Sequence, residues 1–247
     1  MLGPRNYNRS VTDLGAWNSE YIELIANDAG RSLMGSHQEN WFYRSLSESR
    51  DRGAVWRIIG NQLVLSRIGS IGEDGAFEYR GGDACNGHRD WISDLVWLDH
   101  ADYDCETGEG SVGVEFAGTG VASGGTNESI AWAEDNIRPT VAENAELQWH
   151  ERYYRGYFEL HINAKELKAQ CFGTATVPSR NPWDLPLTSF TVTAGANKLN
   201  RPVAGGRVEA GVLKNGETRH ANVTLSTETG DWGVIGFERQ IITPPVV

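Results

Sequence analysis

Apolar positions along the chain change period several times, and each change marks an element. Tyr21, Ile22, Leu24 and Ile25 follow the start signal Asn18-Ser19-Glu20 and end at Gly30, which predicts a first helix. Ser36-His-Gln-Glu39 has the spacing of a capping box, and Phe42 and Leu46 then share a face four residues apart, predicting a second helix. Residues 56–66 are rich in β-branched positions and read as a buried strand or pair of strands. Residues 69–87 are Gly-rich without a period, which predicts a loop. Strands are expected at 91–98 and at 112–117, where Val112, Val114 and Phe116 alternate with Gly113 and Glu115. Residues 137–149 read as a helix that tolerates Pro139 in its first turn. Phe158, Leu160 and Ile162 then alternate onto one face of a strand over 157–163, which forms a hairpin with 167–174. Further strands are expected at 187–193 and 207–213. No repeat or flexible linker interrupts this order, so the pattern predicts one α+β unit whose sheet dominates the second half.

Composition narrows the class. A chain of 247 residues with 39% hydrophobic and 10% aromatic content is large enough for a substantial core. Its 22 Lys and Arg against 33 Asp and Glu give a net charge of -11, with no local basic cluster, so no nucleic-acid partner is expected. Gly, Ser and Asn break every uncharged stretch before the ~18 residues that a membrane-spanning helix needs. The N-terminal residues Met1-Leu-Gly-Pro-Arg5 lack the apolar core of a signal peptide. Cys85, Cys105 and Cys171 are an odd number without CxxC spacing, so isolated thiols are expected. Sequons at Asn8, Asn127 and Asn222 are consistent with an exported protein.

Several stretches, in order, carry a family likeness: Asn27-Asp-Ala-Gly-Arg-Ser-Leu-Met-Gly-Ser36, Gln38-Glu-Asn-Trp-Phe42, Ser47-Glu-Ser49 and Trp56-Arg-Ile-Ile-Gly60. Trp91-Ile-Ser-Asp-Leu-Val-Trp-Leu98, Gly113-Val-Glu-Phe-Ala-Gly-Thr119 and Tyr154-Arg-Gly-Tyr157 follow. Together these resemble the C-terminal half of the PhoD-type alkaline phosphatases, in a fungal-like version. The resemblance implies an incomplete α/β/β/α metallophosphoesterase sandwich, calcium and iron as cofactors, a phosphate-ester substrate, and an extracellular or secretory location. In this chemistry a metal-bound water supplies the nucleophile and the cations clamp the phosphoryl oxygens. Carboxylate oxygens suit calcium, while imidazole, phenolate or thiolate suit the transition metal.

The sequence departs from the family pattern in two places. The family's early ligand motifs fall before the position of Met1, and its Asp-Thr-Arg-x-Tyr motif survives only as Arg5 and Tyr7, with Gly3 at the Asp position. At Gly82-Asp-Ala-Cys-Asn-Gly-His-Arg-Asp-Trp91, two motifs that the family keeps well apart look fused. Asp83-Ala-Cys-Asn-Gly87 resembles Asp-Ala-Trp-Asp-Gly, and His88-Arg-Asp-Trp91 resembles the end of Gly-Asp-Ser-His-x-x-Trp. An alternative alignment places Gly82-Asp83 on that second motif with four inserted residues; an internal deletion near 82–88 explains both sides of the junction. The resemblance makes His88 the carried-over metal ligand, with Asp83 the weaker second candidate.

The remaining candidates carry less. His100, Asp102 and Asp104 have the composition of a turn, and Arg152-Tyr-Tyr-Arg155 reads as a polar strand edge. Gly118-Thr-Gly-Val-Ala-Ser-Gly-Gly125 lacks the Gly-Lys-Ser/Thr of a P-loop. His161 is expected on the solvent face of its strand. Three functions remain open: a metal-dependent phosphoesterase inactive as this chain alone, a non-catalytic remnant serving as scaffold or binding module, and a carbohydrate-binding β-module. The last is disfavoured because Trp17, Trp41 and Trp56 read as core.

Overall fold

The computed structural model describes residues 30, 34–61, 64–66, 68–71, 77–79, 90–96, 102–121, 129–174, 184–219, 222–225 and 232–235. The helix expected over residues 18–30 lies almost wholly outside them, as does Trp17. The chain forms two compact units, one of Met1–Val64 with Gly82–Ala84 and the other of Leu65–Gly81 with Cys85–Val247.

The described part of the first unit is built on α1 (Gly35–Asp51). The helix begins one residue before the expected capping box: Met34 is the N-cap and makes no side-chain cap bond, while Gly35 takes φ 70°. A glycine tolerates this left-handed turn into the helix, and Ser36 is thereby drawn inside it. At the other end the Arg52 and Gly53 amides donate to Glu48 and Arg50 carbonyls (3.0 and 2.9 Å), with Gly53 left-handed at φ 70°. Residues 56–61, part of the stretch expected as strand over 56–66, do not form strand, and Ile58 and Ile59 are exposed. β-Branched composition becomes a strand only where a neighbouring strand completes its hydrogen bonds. Trp41, read from sequence as core, is 45% exposed.

The second unit opens with a short antiparallel hairpin, β1 (Gly69–Ile71) and β2 (Phe77–Tyr79), where a loop was expected. Then follow β3 (Asp90–Val96), β4 (Ser111–Ala117), α2 (Ile130–Glu143), β5 (Leu147–Glu151), β6 (Gly156–Ile162), β7 (Glu166–Thr174) and β8 (Asp184–Thr193). Short strands complete the chain: β9 (Arg207–Val208), β10 (Val212–Leu213), β11 (Glu217–Thr218), β12 (Asn222–Leu225) and β13 (Trp232–Ile235). One sheet has the order β10-β5-β3-β4 and another β6-β7-β8, all antiparallel. The two meet through Trp149 against Phe190 (ring centroids 5.6 Å apart) and Phe116 against Phe158 (6.1 Å). Ile92, Leu147, Leu185, Leu187 and Leu199 fill the core. The fold is mixed α+β and sheet-dominated.

α2 and β5 replace the single helix expected at 137–149. Ser129 caps α2 by accepting the Trp132 amide at 3.2 Å, so the helix starts before the expected boundary and Pro139 falls in its interior. An interior proline forfeits one backbone bond. Burial of Ala133, Ile137 and Val141 offsets that loss. β5 shows no alternation because all five of its residues are buried. Asn144 joins the two elements, donating to the Thr140 carbonyl (2.7 Å) and exchanging bonds with the Gly69 backbone (2.8 and 2.9 Å).

One end of the main sheet is locked by a buried ion pair. Asp94 is fully buried and accepts from Arg201 Nη2 (2.7 Å), the Tyr103 hydroxyl (3.0 Å) and the Leu199 amide (2.9 Å). Arg201 also donates to the Leu199 and Cys105 carbonyls (3.0 and 3.2 Å). Burial, and then the Asp94 charge, push the Tyr103 phenol well above the usual tyrosine range, so it stays a donor.

On the outer face of β6-β7-β8, Tyr157 stacks on its cross-strand partner Phe172 (centroids 5.2 Å apart) and donates to Asp184 Oδ2 at 2.5 Å. The bond to Asp184, then burial and the negative charges nearby, push its pKa from 10.0 up to about 12. A folded pKa raised above the unfolded one means that this contribution is whole below about pH 10 and is lost as pH rises through about 12. Tyr157→Phe is therefore expected to lower stability by ~0.5–1.5 kcal/mol at pH 8. The gap to wild type should close between pH 10 and 12. Urea midpoints of both proteins across that range check it.

Candidate functional site

The opposite end of the main sheet gathers the residues with most chemical character. Antiparallel pairing sets Asp90, where β3 begins, beside Glu151, where β5 ends, and sets Trp91 beside Ala117, where β4 ends. The turn after β5 is tied down by its own side chain: Glu151 accepts the Tyr153 and Tyr154 amides at 2.7 and 2.9 Å. Tyr154 is buried edge-on to Tyr153, with centroids 5.0 Å apart. Burial, then the negative charge of Glu151, hold its phenol protonated well beyond the usual range.

Arg155 follows and is only 1% exposed. The polar strand edge expected there is instead a buried guanidinium, whose Nη1 donates to Thr119 Oγ1 at 2.5 Å. Its carbonyl accepts the Thr174 amide and hydroxyl at 2.6 and 3.1 Å. The next residue, Gly156, lies so close to the β7 backbone that a Cβ would stand 1.8 Å from the Phe172 carbonyl oxygen. Arg155 thus links the segment leaving β4 to the turn leaving β5, on either side of the start of β3. His150 is fully buried on β5, and Glu134 of α2 is buried close enough to act on the Tyr154 phenol. Sequence reasoning missed this burial; the Tyr154-Arg-Gly-Tyr157 stretch was its one signal.

The ligand candidates His88 and Asp83 lie outside the described residues, as do Cys85 and His100. His88 stands two residues before Asp90 in the chain. Asp104 is spent on its own turn, accepting the Glu106 amide (2.9 Å) and the Thr107 hydroxyl (3.0 Å), and those bonds hold its pKa below the usual carboxylate value. His161 is exposed beside Glu159, as expected. Gly118 packs against the Phe158 ring, a structural reason for that glycine. Cys105 and Cys171 are free thiols. Among the described residues no group of three or more His, Cys, Asp or Glu is placed to hold a metal ion.

A family model of PhoD-like phosphatases matches residues 1–87 and again residues 81–171. The chain belongs to the PhoD-like phosphatase family. A solved structure of PhoD is similar over 76% of this chain with a TM-score of 0.56 and 19% identity, which extends the likeness to the fold. This PhoD-like chain spans 37% of that structure's length. No curated protein matches it. No described helix is long and apolar enough to cross a membrane.

Proposed function

We propose that this chain supplies the sheet-dominated scaffold of a metal-dependent phosphate-ester hydrolase and is hydrolytically silent as the 247-residue chain alone. The observation that carries the reading is the break in the family match: two matched segments overlap at 81–87, the stretch in which two separate family motifs look fused. An internal deletion at that junction would take away chain between Asp83 and His88, where the family's metal chemistry draws on more than one motif. Cleavage of a phosphate ester by this route needs several convergent ligands at once, because a single imidazole does not displace most of a metal's hydration shell.

A preserved scaffold around the junction supports the reading. β3 starts two residues after His88 in the sequence, and the sheet end where β3 begins holds Arg155 and Thr119. An exported location follows the family and the three sequons.

A phosphomonoester and a phosphodiester assay test the reading, each with and without added calcium and iron and with and without chelator. No chelator-sensitive turnover above buffer is expected. Metal-dependent hydrolysis by the purified chain would overturn the silence. Hydrolysis indifferent to chelator would overturn the proposed chemistry itself.

A further inference from the structure

β6 is the outer strand of its sheet: β7 pairs with one side of it along all seven residues without a shift of register, and among the described residues nothing pairs with the other side. The two ends of the ladder fix which groups face that open side. The Asn163 amide donates to the Glu166 carbonyl at 3.0 Å, and the Thr174 amide donates to the Arg155 carbonyl at 2.6 Å. Pairing alternates along an antiparallel ladder, so Tyr157, Glu159 and His161 spend their backbone groups on β7, while Phe158, Leu160 and Ile162 turn theirs outward. Such an edge is commonly blunted by Pro, Lys or a bulge, and Gly156-Tyr-Phe-Glu-Leu-His-Ile162 has none of these. The far edge of the same sheet is closed: Leu199 bridges to Val192, and the Asn200 and Glu209 amides donate to the Thr191 and Leu187 carbonyls at 2.9 Å each.

The strand that fits this edge is β6 itself. About a two-fold axis at Leu160, an antiparallel second copy sets Leu160 opposite Leu160 and Phe158 opposite Ile162, all with outward backbone groups, which allows about six interchain hydrogen bonds. The same register sets Glu159 opposite His161 twice, at the non-hydrogen-bonded positions where side chains approach most closely. Within one strand His161 Nε2 already lies 3.3 Å from Glu159 Oε2, with both side chains exposed, so a second copy turns one carboxylate–imidazole contact into an alternating row of four groups. Lys168, the β7 partner of His161, adds positive charge at that end of the row. Ile162, 43% exposed, gains the half-buried Phe158 of the second copy as a neighbour. Moving the axis one residue, to Glu159, would instead set that carboxylate against its own copy. We infer that β6 is a homodimerisation edge, where two copies of this chain pair β6 to β6 and double the three-stranded sheet. Because the β8 side is closed, pairing stops at two copies. One strand a side is a small contact, so association is weak and concentration-dependent.

Sedimentation of the full chain across the micromolar to millimolar range should show a monomer–dimer equilibrium. In the dimer, amide exchange should slow at Phe158, Leu160 and Ile162 and stay unchanged at Tyr157, Glu159 and His161, which β7 already protects. Ile162→Pro removes an outward donor at an exposed position and leaves the β7 bonds in place, so it should weaken association about tenfold with Tm unchanged. Glu159→Lys and His161→Glu should each weaken it as well. An equimolar mixture of these two variants should restore a heterodimer, because mixed pairing again sets opposite charges against each other. Should Ile162→Pro lower Tm, the charge variants decide, since they change only exposed side chains. A monomer at every concentration would overturn the inference. A dimer as tight in the charge variants as in wild type would also overturn it, by placing the contact on another surface.

Discussion

Asp94→Ala is expected to unfold the second unit at temperatures where wild type is stable. The substitution removes the acceptor shared by the Arg201 guanidinium, the Tyr103 hydroxyl and the Leu199 amide. Asp94 is fully buried, and the Arg201 side chain is 17% exposed, so the abandoned cation has little water to turn to. Breaking a buried pair by removing one partner costs ~3–5 kcal/mol, because the remaining charge stays buried. Against a total stability of ~5–15 kcal/mol, that is a large share. For a unit of this size each kcal/mol moves Tm by ~2–4 °C, so the melt should fall by about 10 °C. Replacing both partners by apolar residues, Asp94→Leu with Arg201→Met, should recover much of the loss. Thermal melts followed by circular dichroism check it; an Asp94→Ala melt within the scatter of wild type would refute the role of the pair.

Gly156→Ala should be nearly as damaging, for a steric reason. An alanine Cβ would stand 1.8 Å from the Phe172 carbonyl oxygen and 3.1 Å from Gly173 Cα, and both are backbone of the paired strand. No rotamer relieves that contact, so the start of β6 must move off β7. The move pulls the Arg155 carbonyl from Thr174 and draws its guanidinium away from Thr119. The expected cost is at least the ~1–3 kcal/mol typical of overpacking. Amide exchange should accelerate at Gly118–Val121 as Thr119 loses its anchor. Gly195→Ala is the matched control: its φ is +79° but nothing lies within 4 Å of the added methyl, so only the backbone penalty of about 1 kcal/mol applies. Equal urea midpoints for the two variants would contradict the steric account.

Alternation predicted β4 and β6, and β6 carries it in the structure, where Phe158 and Leu160 are less exposed than Tyr157, Glu159 and His161. β5 was illegible for the opposite reason. Leu147, Gln148, Trp149, His150 and Glu151 are all buried, so no period separates strand from helix, and the helix-favouring residues before them suggested one continuous element. Residues 56–61 failed because β-branched composition alone does not set a strand: Ile58 and Ile59 have the propensity and yet are exposed outside any strand. The capping box at Ser36 failed because Gly35 turns into the helix first.

The candidate site was legible only in part. The resemblance pointed to His88 and Asp83, which lie outside the described residues, and to the Tyr154-Arg-Gly-Tyr157 stretch without saying why it matters. The reason is three-dimensional: Arg155 is buried by strands from distant parts of the chain, and Thr119, its partner, stands 36 residues away. A local reading of two arginines flanking two tyrosines gives a polar edge, because sequence alone does not say which guanidinium the sheets enclose.

A PhoD-like scaffold without a working metal centre is the central claim, and metal content tests it most directly. The chain should be purified from medium supplemented with calcium and iron, passed through gel filtration, and measured by elemental analysis against protein concentration. Metal well below one ion per chain is the expected result. Tightly bound calcium or iron in whole-number stoichiometry, lost together with His88→Ala, would contradict it.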